Sequence, residues 1–124
     1  MSPIIDFPSN CGNAPRKLFL IDYHRAIAEG NAEFLADYLA DDINWEIVGE
    51  LKITGKDEFL KVIQTLPTWE MGELRIETVV THGNEAALAG IAVTEDGTEV
   101  QFCDVYKFKG AKGFELKSVK TFII

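Results

Sequence analysis

One strand-like segment carries a carboxylate among aromatic residues. In QFCDVYKF (101–108), strand alternation places four side chains on one face: Phe102, Asp104, Tyr106 and Phe108. An ionised carboxylate that is buried there without a partner costs several kcal/mol, or it becomes protonated instead. Asp104 is therefore either satisfied by a tyrosine or a backbone amide for structural reasons, or it is a pocket acid that contacts a ligand or transfers a proton.

The histidines and cysteines predict no nucleophile–base pair. His24 follows Tyr23 directly, so it is about 100° further round the helix and is expected to face elsewhere. His82 belongs to the turn HGN, where solvent is its expected partner. Cys103 is on the strand face opposite the carboxylate and is expected to be a packing residue. Cys11 is too distant in sequence to suggest a disulfide framework, and we predict no metal site.

Three helices are predicted in the first half of the chain. PRKLFLIDYHRAIAEG (15–30) follows a candidate cap at Asn13 and ends at Gly30. NAEFLADYLA (31–40) and KDEFLKVIQTL (56–66) are the second and third helices, and each follows a capping pattern. Between them, the alternating INWEIV (43–48) is typical of a strand, and GELKITG (49–55) is a loop or hairpin.

The second half of the chain predicts a four-stranded meander. Its strands are LRIETVVT (74–81), EAALAGIAVT (85–94), EVQFCDVYKF (99–108) and FELKSVKTFII (114–124). The turns between them, HGN, EDG and GAKG, are hairpin-short, so neighbouring strands run antiparallel. We predict an α+β fold in which a curved antiparallel sheet wraps round the N-terminal helices as a cone. Such a cone leaves an opening at one end, since side chains do not fill its whole width.

Length and charge restrict the class of protein. A chain of 124 residues is expected to form one domain (13–124), preceded by an extended arm at 1–12 that contains Pro3, Pro8 and Gly12. With 12 Lys and Arg against 20 Asp and Glu, the net charge of −8 argues against a nucleic-acid partner. The apolar runs are too short for a membrane span, and the arm does not resemble a secretory signal. We therefore expect a reduced, cytoplasmic protein without a membrane partner.

The order of elements resembles that of the nuclear transport factor 2-like superfamily, which includes ketosteroid isomerase, limonene epoxide hydrolase and the SnoaL-like polyketide cyclases. Three segments carry the resemblance: EGNAEFLADYLADDINWEIVG, ITGKDEF and FCDVYKFKGAKGFELKSV. It covers residues 16–122 and implies a SnoaL-like, cystatin-like cone. Because this fold supports many activities, the resemblance is specific for the fold rather than for one reaction.

Two positions match functional residues of ketosteroid isomerase. Counting back from Gly30, Tyr23 stands where that enzyme has its oxyanion tyrosine, and Asp104, within D-V-Y-K-F, stands where it has a protonated aspartic acid. The resemblance implies that Tyr23 and Asp104 face the same cavity as hydrogen-bond donors that stabilise charge developing on one oxygen.

The catalytic base of that enzyme has no counterpart. Counting from Ala-Asp-Asp at 40–42, its position holds Ile47, and the neighbouring Glu46 points to the opposite face of the sheet. The Asp-Arg-Asp set of limonene epoxide hydrolase is also absent at a suitable spacing. Neither specific activity is therefore expected, and the identity of any general base is open.

Three functions are compatible with these residues. The chain is a cofactor-independent acid/base enzyme of isomerase, cyclase or hydratase type that acts on a small apolar molecule, a non-catalytic protein that binds such a molecule, or a dimeric interaction module. Asp104 and Tyr23 are the candidate catalytic residues. The candidate ligand-pocket residues are Phe19, Trp45, Ile47, Trp69, Phe102 and Tyr106. The outer sheet face, to which we assign Val79, Cys103, Val105 and Val119, is expected to form a homodimer.

Overall fold

The computed structural model describes residues 4–7, 14–65, 71–110 and 112–124. Within these residues, three helices pack against one curved sheet of seven strands. The helices are α1 (Pro15–Glu29), α2 (Ala32–Ala36) and α3 (Lys56–Thr65). The strands are β1 (Ile4–Asp6), β2 (Leu39–Ile47), β3 (Leu51–Thr54), β4 (Met71–His82), β5 (Glu85–Thr94), β6 (Glu99–Phe108) and β7 (Leu116–Ile123). The predicted α+β cone is confirmed.

The helix boundaries follow local chemistry, with two corrections. Helix α1 begins at Pro15 after Ala14, which occupies the cap position that we assigned to residue 13, and it ends at Gly30 in the left-handed region, with φ of 65°. Asn31 caps α2 by accepting a hydrogen bond from the Phe34 amide at 3.1 Å. The second predicted helix is too long, because Leu39 already belongs to a strand. Its pairing with β7 overrides the local helical preference.

The sheet has the strand order β1-β4-β5-β6-β7-β2-β3. The predicted meander β4 to β7 is antiparallel throughout, and GELKITG contains β3, which forms a hairpin with β2. Two pairs are parallel, β1 with β4 and β2 with β7, so the sheet is mixed rather than purely antiparallel. The described part of the N-terminal arm is thus an edge strand of this sheet, while residues 1–3 and 8–13 lie outside the described residues.

Two bulges change which face the strand residues occupy. The β4–β5 register shifts between Ile76 and Thr78, and the β6–β7 register shifts between Lys107 and Phe108. A shift of one residue moves all later side chains to the other face of the sheet. Val79 and Val119 are consequently buried on the helix-facing side, with 7% and 2% of their surface exposed. Our assignment of these two valines to the outer face is wrong.

The two ends of the cone are filled differently. At the N-terminal end of α1, the side chain of Arg16 donates hydrogen bonds to the carbonyls of Gly83, Gly110 and Gly113 at 2.7–2.9 Å. Its guanidinium also lies 4.1 Å from the centre of the Phe108 ring. These contacts tie the helix to the β4–β5 and β6–β7 turns, so this end is closed.

No helix in the described part of the chain has the length and apolar character that a membrane span requires.

Candidate functional site

A cavity of about 270 Å³ lies at the other end of the cone, beside the C-terminal half of α1. Most of its lining is apolar or aromatic. Helix α1 and the described part of α3 contribute Tyr23, His24, Ile27, Ala28 and Ile63. The sheet and the β2–β3 turn contribute Trp45, Ile47, Glu50, Leu51, Leu74, Ala92, Phe102, Asp104, Thr121 and Ile123. An apolar cavity with a few convergent polar groups is typical of a small-molecule site.

Asp104 is the most deeply buried acid that faces this cavity, with 5% of its surface exposed. Its Oδ2 accepts a hydrogen bond from the Tyr106 hydroxyl at 3.2 Å and lies 3.1 Å from His24 Nε2. His24 Nε2 also contacts the Tyr106 hydroxyl. Because that hydroxyl donates to Asp104, its oxygen is free to accept from Nε2–H, and the three groups form a closed cluster.

The second carboxylate oxygen of Asp104 has no partner. Among the described residues, Oδ1 is the single buried side-chain oxygen or nitrogen that lacks a hydrogen bond. Leaving a buried acceptor unsatisfied costs about 1–3 kcal/mol, and more when the group is charged. One carboxylate oxygen is thus held in place by neighbouring protein groups, while the other is a buried acceptor without a hydrogen bond in a residue that lines the cavity.

The two buried tyrosines beside Asp104 remain protonated far above neutral pH. Burial raises the pKa of both the Tyr23 and the Tyr106 phenol well above its usual range, and the negative charge of Asp104 raises each further. Both phenols therefore keep the proton that a hydrogen-bond donor needs, and Tyr106 donates it to Asp104. Tyr23 lies edge-on to the rings of His24 and Tyr106 and forms part of the cavity wall.

The structure brings together many of the residues that the sequence singled out. Tyr23, Trp45, Ile47, Phe102 and Asp104 all line the cavity. Among described residues, however, the Asp104 side chain accepts its hydrogen bond from Tyr106 rather than from Tyr23, and His24 Nε2 lies 3.1 Å from the same oxygen.

The remaining pocket candidates lie elsewhere. Tyr106 is fully buried and sits behind Asp104, so it supports the acid rather than lining the cavity. Phe19 lies one helical turn before Tyr23 and packs in the closed end of the cone against Tyr38, Phe108 and Phe114. Trp69 lies outside the described residues.

His24 is the residue that sequence reasoning missed. It was expected to face elsewhere, but only 8% of its surface is exposed, and it lines the cavity beside Asp104. The curved sheet encloses α1 on more than one side, so an arc wider than a single stripe is buried. The consecutive buried residues Phe19, Leu20 and Ile21 show the same wide arc. That run of three apolar residues is the sequence signal that could have placed His24 inside.

Trp45 is held in position by a hydrogen bond as well as by packing. Its indole Nε1–H donates to Thr121 Oγ1 at 3.0 Å, and its ring centre lies 4.8 Å from that of Phe59. Thr121 pairs with Asp104 across the β6–β7 ladder, which links the aromatic wall to the strand that carries the acid. Ile47 also lines the cavity, so the position of the isomerase base contributes an apolar surface here.

Solved structures of other proteins share this fold. An NTF2-like protein of unknown function from Cytophaga hutchinsonii is 20% identical, with a TM-score of 0.67 over 88% of this chain and 99% of that one. The epoxide hydrolase/cyclase-like enzyme SalBIII, which takes part in pyran ring formation in salinomycin, is 18% identical, with a TM-score of 0.72 over 91% and 93%. A candidate SnoaL-like polyketide cyclase from Shewanella denitrificans is 13% identical, with a TM-score of 0.76 over 90% and 92%. At these identities the similarity shows the fold alone.

Sequence comparisons identify the family. A search among curated proteins finds no significant match. The model of the SnoaL-like domain family matches residues 20–115, a segment that contains the last ten residues of α1, the whole of α2, the hairpin β2–β3 and the strand with Asp104. The superfamily resemblance predicted from the sequence is thereby confirmed, and the chain belongs to the SnoaL-like domain family.

Proposed function

We propose that the protein is an enzyme that performs acid/base chemistry on a small, largely apolar molecule in the cavity, as an isomerase, cyclase or hydratase. The observation that carries this proposal is the asymmetric environment of Asp104. Oδ2 is engaged by Tyr106 and His24, whereas Oδ1 has no hydrogen-bond partner in the described part of the chain. A carboxylate that is held at one oxygen and free at the other is positioned to take a proton from a bound molecule or to return one.

The neighbouring groups have distinct roles in this proposal. Asp104 Oδ1 is the proton acceptor and donor. His24 positions the carboxylate through Nε2, which lies 3.1 Å from Oδ2, and Tyr106 fixes the same oxygen by a hydrogen bond. The protonated phenol of Tyr23 is available on the cavity wall to donate a hydrogen bond to a substrate oxygen on which negative charge develops. His24 and Asp104 together supply the acid/base function that the sequence comparison did not locate.

The direct test measures proton transfer without knowledge of the natural substrate. Small enolisable ketones are incubated with the protein in D2O, and NMR follows the exchange of their α-protons. The wild type is expected to accelerate exchange for at least one probe. Asp104→Asn should lower that rate by about 10²-fold or more, the usual contribution of a general acid/base. The opening of small epoxides by the same variants tests whether the protein adds water, as a hydratase does.

Two further variants make the result specific. His24→Gln keeps an N–H donor near Asp104 but removes the titratable ring, so it should lower the rate constant while leaving probe affinity largely unchanged. Asp57→Asn makes the same carboxylate-to-amide change at an exposed position in the first turn of α3 and should have no effect. Exchange that is insensitive to Asp104→Asn contradicts the proposal. Tight probe binding without any exchange or epoxide opening supports the non-catalytic binding protein instead.

A second proposal concerns the outer face of the sheet, which we propose binds a second copy of the chain. On that face Val80 is 52% exposed and Phe122 is 37% exposed, and both adjoin an apolar strip across the sheet formed by Ala87, Ala89, Cys103 and Val105. Two ion pairs flank this strip, Lys120 with Glu46 and Arg75 with Glu99, so its edges carry charges of both signs. A two-fold axis places such a mixed surface against itself, with apolar area on apolar area.

Sedimentation equilibrium at micromolar concentration tests the dimer. The wild type is expected to be dimeric, and Val105→Lys at the centre of the face is expected to be monomeric. Leu18→Lys, at an exposed apolar position on α1, is the control that should remain a dimer. A monomeric wild type contradicts the proposal.

Cys103 on this face is a free cysteine, which fits the reducing cytoplasm that we propose as the compartment.

A further inference from the structure

The ionisable groups that line the cavity carry more negative than positive charge. Among the described residues, the lining includes two carboxylates, Asp104 and Glu50, and one histidine, but no lysine or arginine. His24 is already paired with Asp104, so it does not offset the charge of Glu50. The net charge of the chain, −8, adds a further negative potential.

The deep end of the cavity presents an acceptor without a donor. Only 5% of the surface of Asp104 is exposed, and its Oδ1 has no hydrogen-bond partner in the described part of the chain. This oxygen already has almost no contact with solvent. A bound molecule that brings an N–H or O–H group within reach of Asp104 therefore satisfies a buried acceptor, whereas a molecule without a donor leaves it unsatisfied. An anionic head group would bring a third negative charge next to this oxygen.

The walls define the rest of the ligand. Tyr23, Trp45 and Phe102 contribute aromatic surfaces to the wall, and Leu51 and Ile123 are exposed apolar residues that also line the cavity. A volume of about 270 Å³ corresponds to about nine water molecules at about 30 Å³ each. This space fits a compact apolar body of one or two rings.

From these observations we propose that the cavity selects a compact apolar molecule whose buried end is a hydrogen-bond donor, either uncharged or cationic, and that it discriminates against carboxylates and other anions. The inference rests on the proposed function in that it assigns the ligand to the same cavity. It depends on the unpartnered oxygen and the charge of the lining rather than on any catalytic step.

A series of probes with one common body tests the selection. Benzyl alcohol, benzylamine, toluene and benzoate share a phenyl ring and differ in the head group. Dissociation constants are measured by NMR titration of the folded protein. The alcohol, the amine or both are expected to bind at least about tenfold more tightly than toluene, since a hydrogen bond to a charged group contributes more than 1.4 kcal/mol. Benzoate is expected to bind more weakly than either donor probe.

Asp104→Asn provides a sharper test, because the amide has a defined orientation. The Tyr106 hydroxyl donates to the position of Oδ2, and His24 Nε2 lies 3.1 Å from the same position, so the amide oxygen occupies it and the NH2 group replaces Oδ1. The cavity of this variant then presents a donor. The preference for benzyl alcohol and benzylamine should be lost, and acetophenone, which carries only an acceptor, should gain affinity. Glu50→Gln at the mouth should weaken the rejection of benzoate without removing the donor preference.

The outcomes separate the two proposals. Preference for the alcohol alone supports an uncharged donor, and preference for the amine alone supports a cationic one. Toluene or benzoate binding as well as both donor probes overturns the inference, as does binding of no probe or an unchanged order in folded Asp104→Asn. A wild type that ranks the probes as expected but exchanges no protons supports this inference and contradicts the catalytic proposal.

Discussion

Gly90 lies close to the backbone of the neighbouring strand, and this contact allows a quantitative prediction. It is a buried residue of β5, and it faces the bulge in β4 between Ile76 and Thr78. A Cβ atom added to Gly90 would lie 2.3 Å from the carbonyl oxygen of Arg75 and 3.2 Å from the Cα of Ile76. Both are backbone atoms, so no change of rotamer relieves the clash. Substitution by alanine must therefore move one strand relative to the other.

The size of the effect follows from this geometry. Ordinary van der Waals contact begins at 3.4 Å, so the two strands would have to separate by about 1 Å at this point. Overpacking in a well-packed interior costs about 1–3 kcal/mol, and the absence of a flexible neighbour places this site at the upper end. We expect Gly90→Ala to lower the free energy of unfolding by about 3 kcal/mol, which corresponds to a fall in Tm of about 10 °C for a chain of this length.

Gly72→Ala is the matched control for this measurement. Gly72 is also a strand glycine, but a Cβ atom there would meet its nearest neighbour, the carbonyl oxygen of Val93, at 3.8 Å. Replacing it reduces the entropy of the unfolded chain and should be neutral or stabilising by up to about 1 kcal/mol. Urea unfolding followed by tryptophan fluorescence and circular dichroism gives both values. If Gly90→Ala cost less than about 1 kcal/mol or matched Gly72→Ala, the close approach would be refuted.

Three further predictions concern charged and titratable groups. Arg16→Lys should lower the free energy of unfolding by about 1–2 kcal/mol, because an ammonium group cannot reproduce the three-carbonyl fork and loses the planar contact with an aromatic ring. The raised pKa values of Tyr23 and Tyr106 contribute stability that is fully present below the unfolded tyrosine pKa of about 10 and is lost as the pH rises beyond it. Hydrogen bonds from Thr94 and Thr98 lower the pKa of Asp96 to about 2, so its contribution is present above the unfolded value of about 3.9 and is lost as the pH falls towards 2.

Each of these predictions has a distinct measurement. Urea unfolding compares Arg16→Lys with Lys17→Arg, which exchanges the same two residue types at the next position. A difference in the free energy of unfolding then reports the three hydrogen bonds of the Arg16 guanidinium, and equal values would contradict their contribution. Absorbance at 295 nm should show tyrosine ionisation coinciding with alkaline unfolding, and Tyr106→Phe should weaken the fall in stability above pH 10. Asp96→Asn should flatten the dependence of stability on pH in the acidic range, and an unchanged profile would contradict the turn contacts.

Local patterns in the sequence were sufficient for the framework of this fold. Pro15 and Gly30 define the ends of α1 because their restrictions on φ and on hydrogen bonding operate within a few residues. Short turns between alternating segments specify an antiparallel meander for the same reason. The second helix was overextended because the competing partner of Leu39 is Leu116, a pairing that no local pattern contains.

Face assignments were reliable only where no bulge intervenes. Asp104 and Tyr106 face the helices as alternation within β6 predicts. Val79 and Val119 were placed on the wrong face because each lies beyond a register shift, and a single extra residue reverses the direction of every later side chain. A bulge is set by close packing between strands, as at Gly90, and it leaves little trace in one strand read alone.

The sequence by itself determined that an acid lies on the helix-facing side of β6, since alternation is a property of the backbone of one strand. It also determined, through the family pattern, that Tyr23 and Trp45 accompany this acid in one cavity. Only the tertiary structure decided which groups contact the acid. His24 and Tyr106 are 82 positions apart in the chain, and their meeting at Asp104 depends on how α1 is rotated within the curved sheet. That rotation results from packing over the whole cone, so the partner of the carboxylate is a property of the fold rather than of any segment.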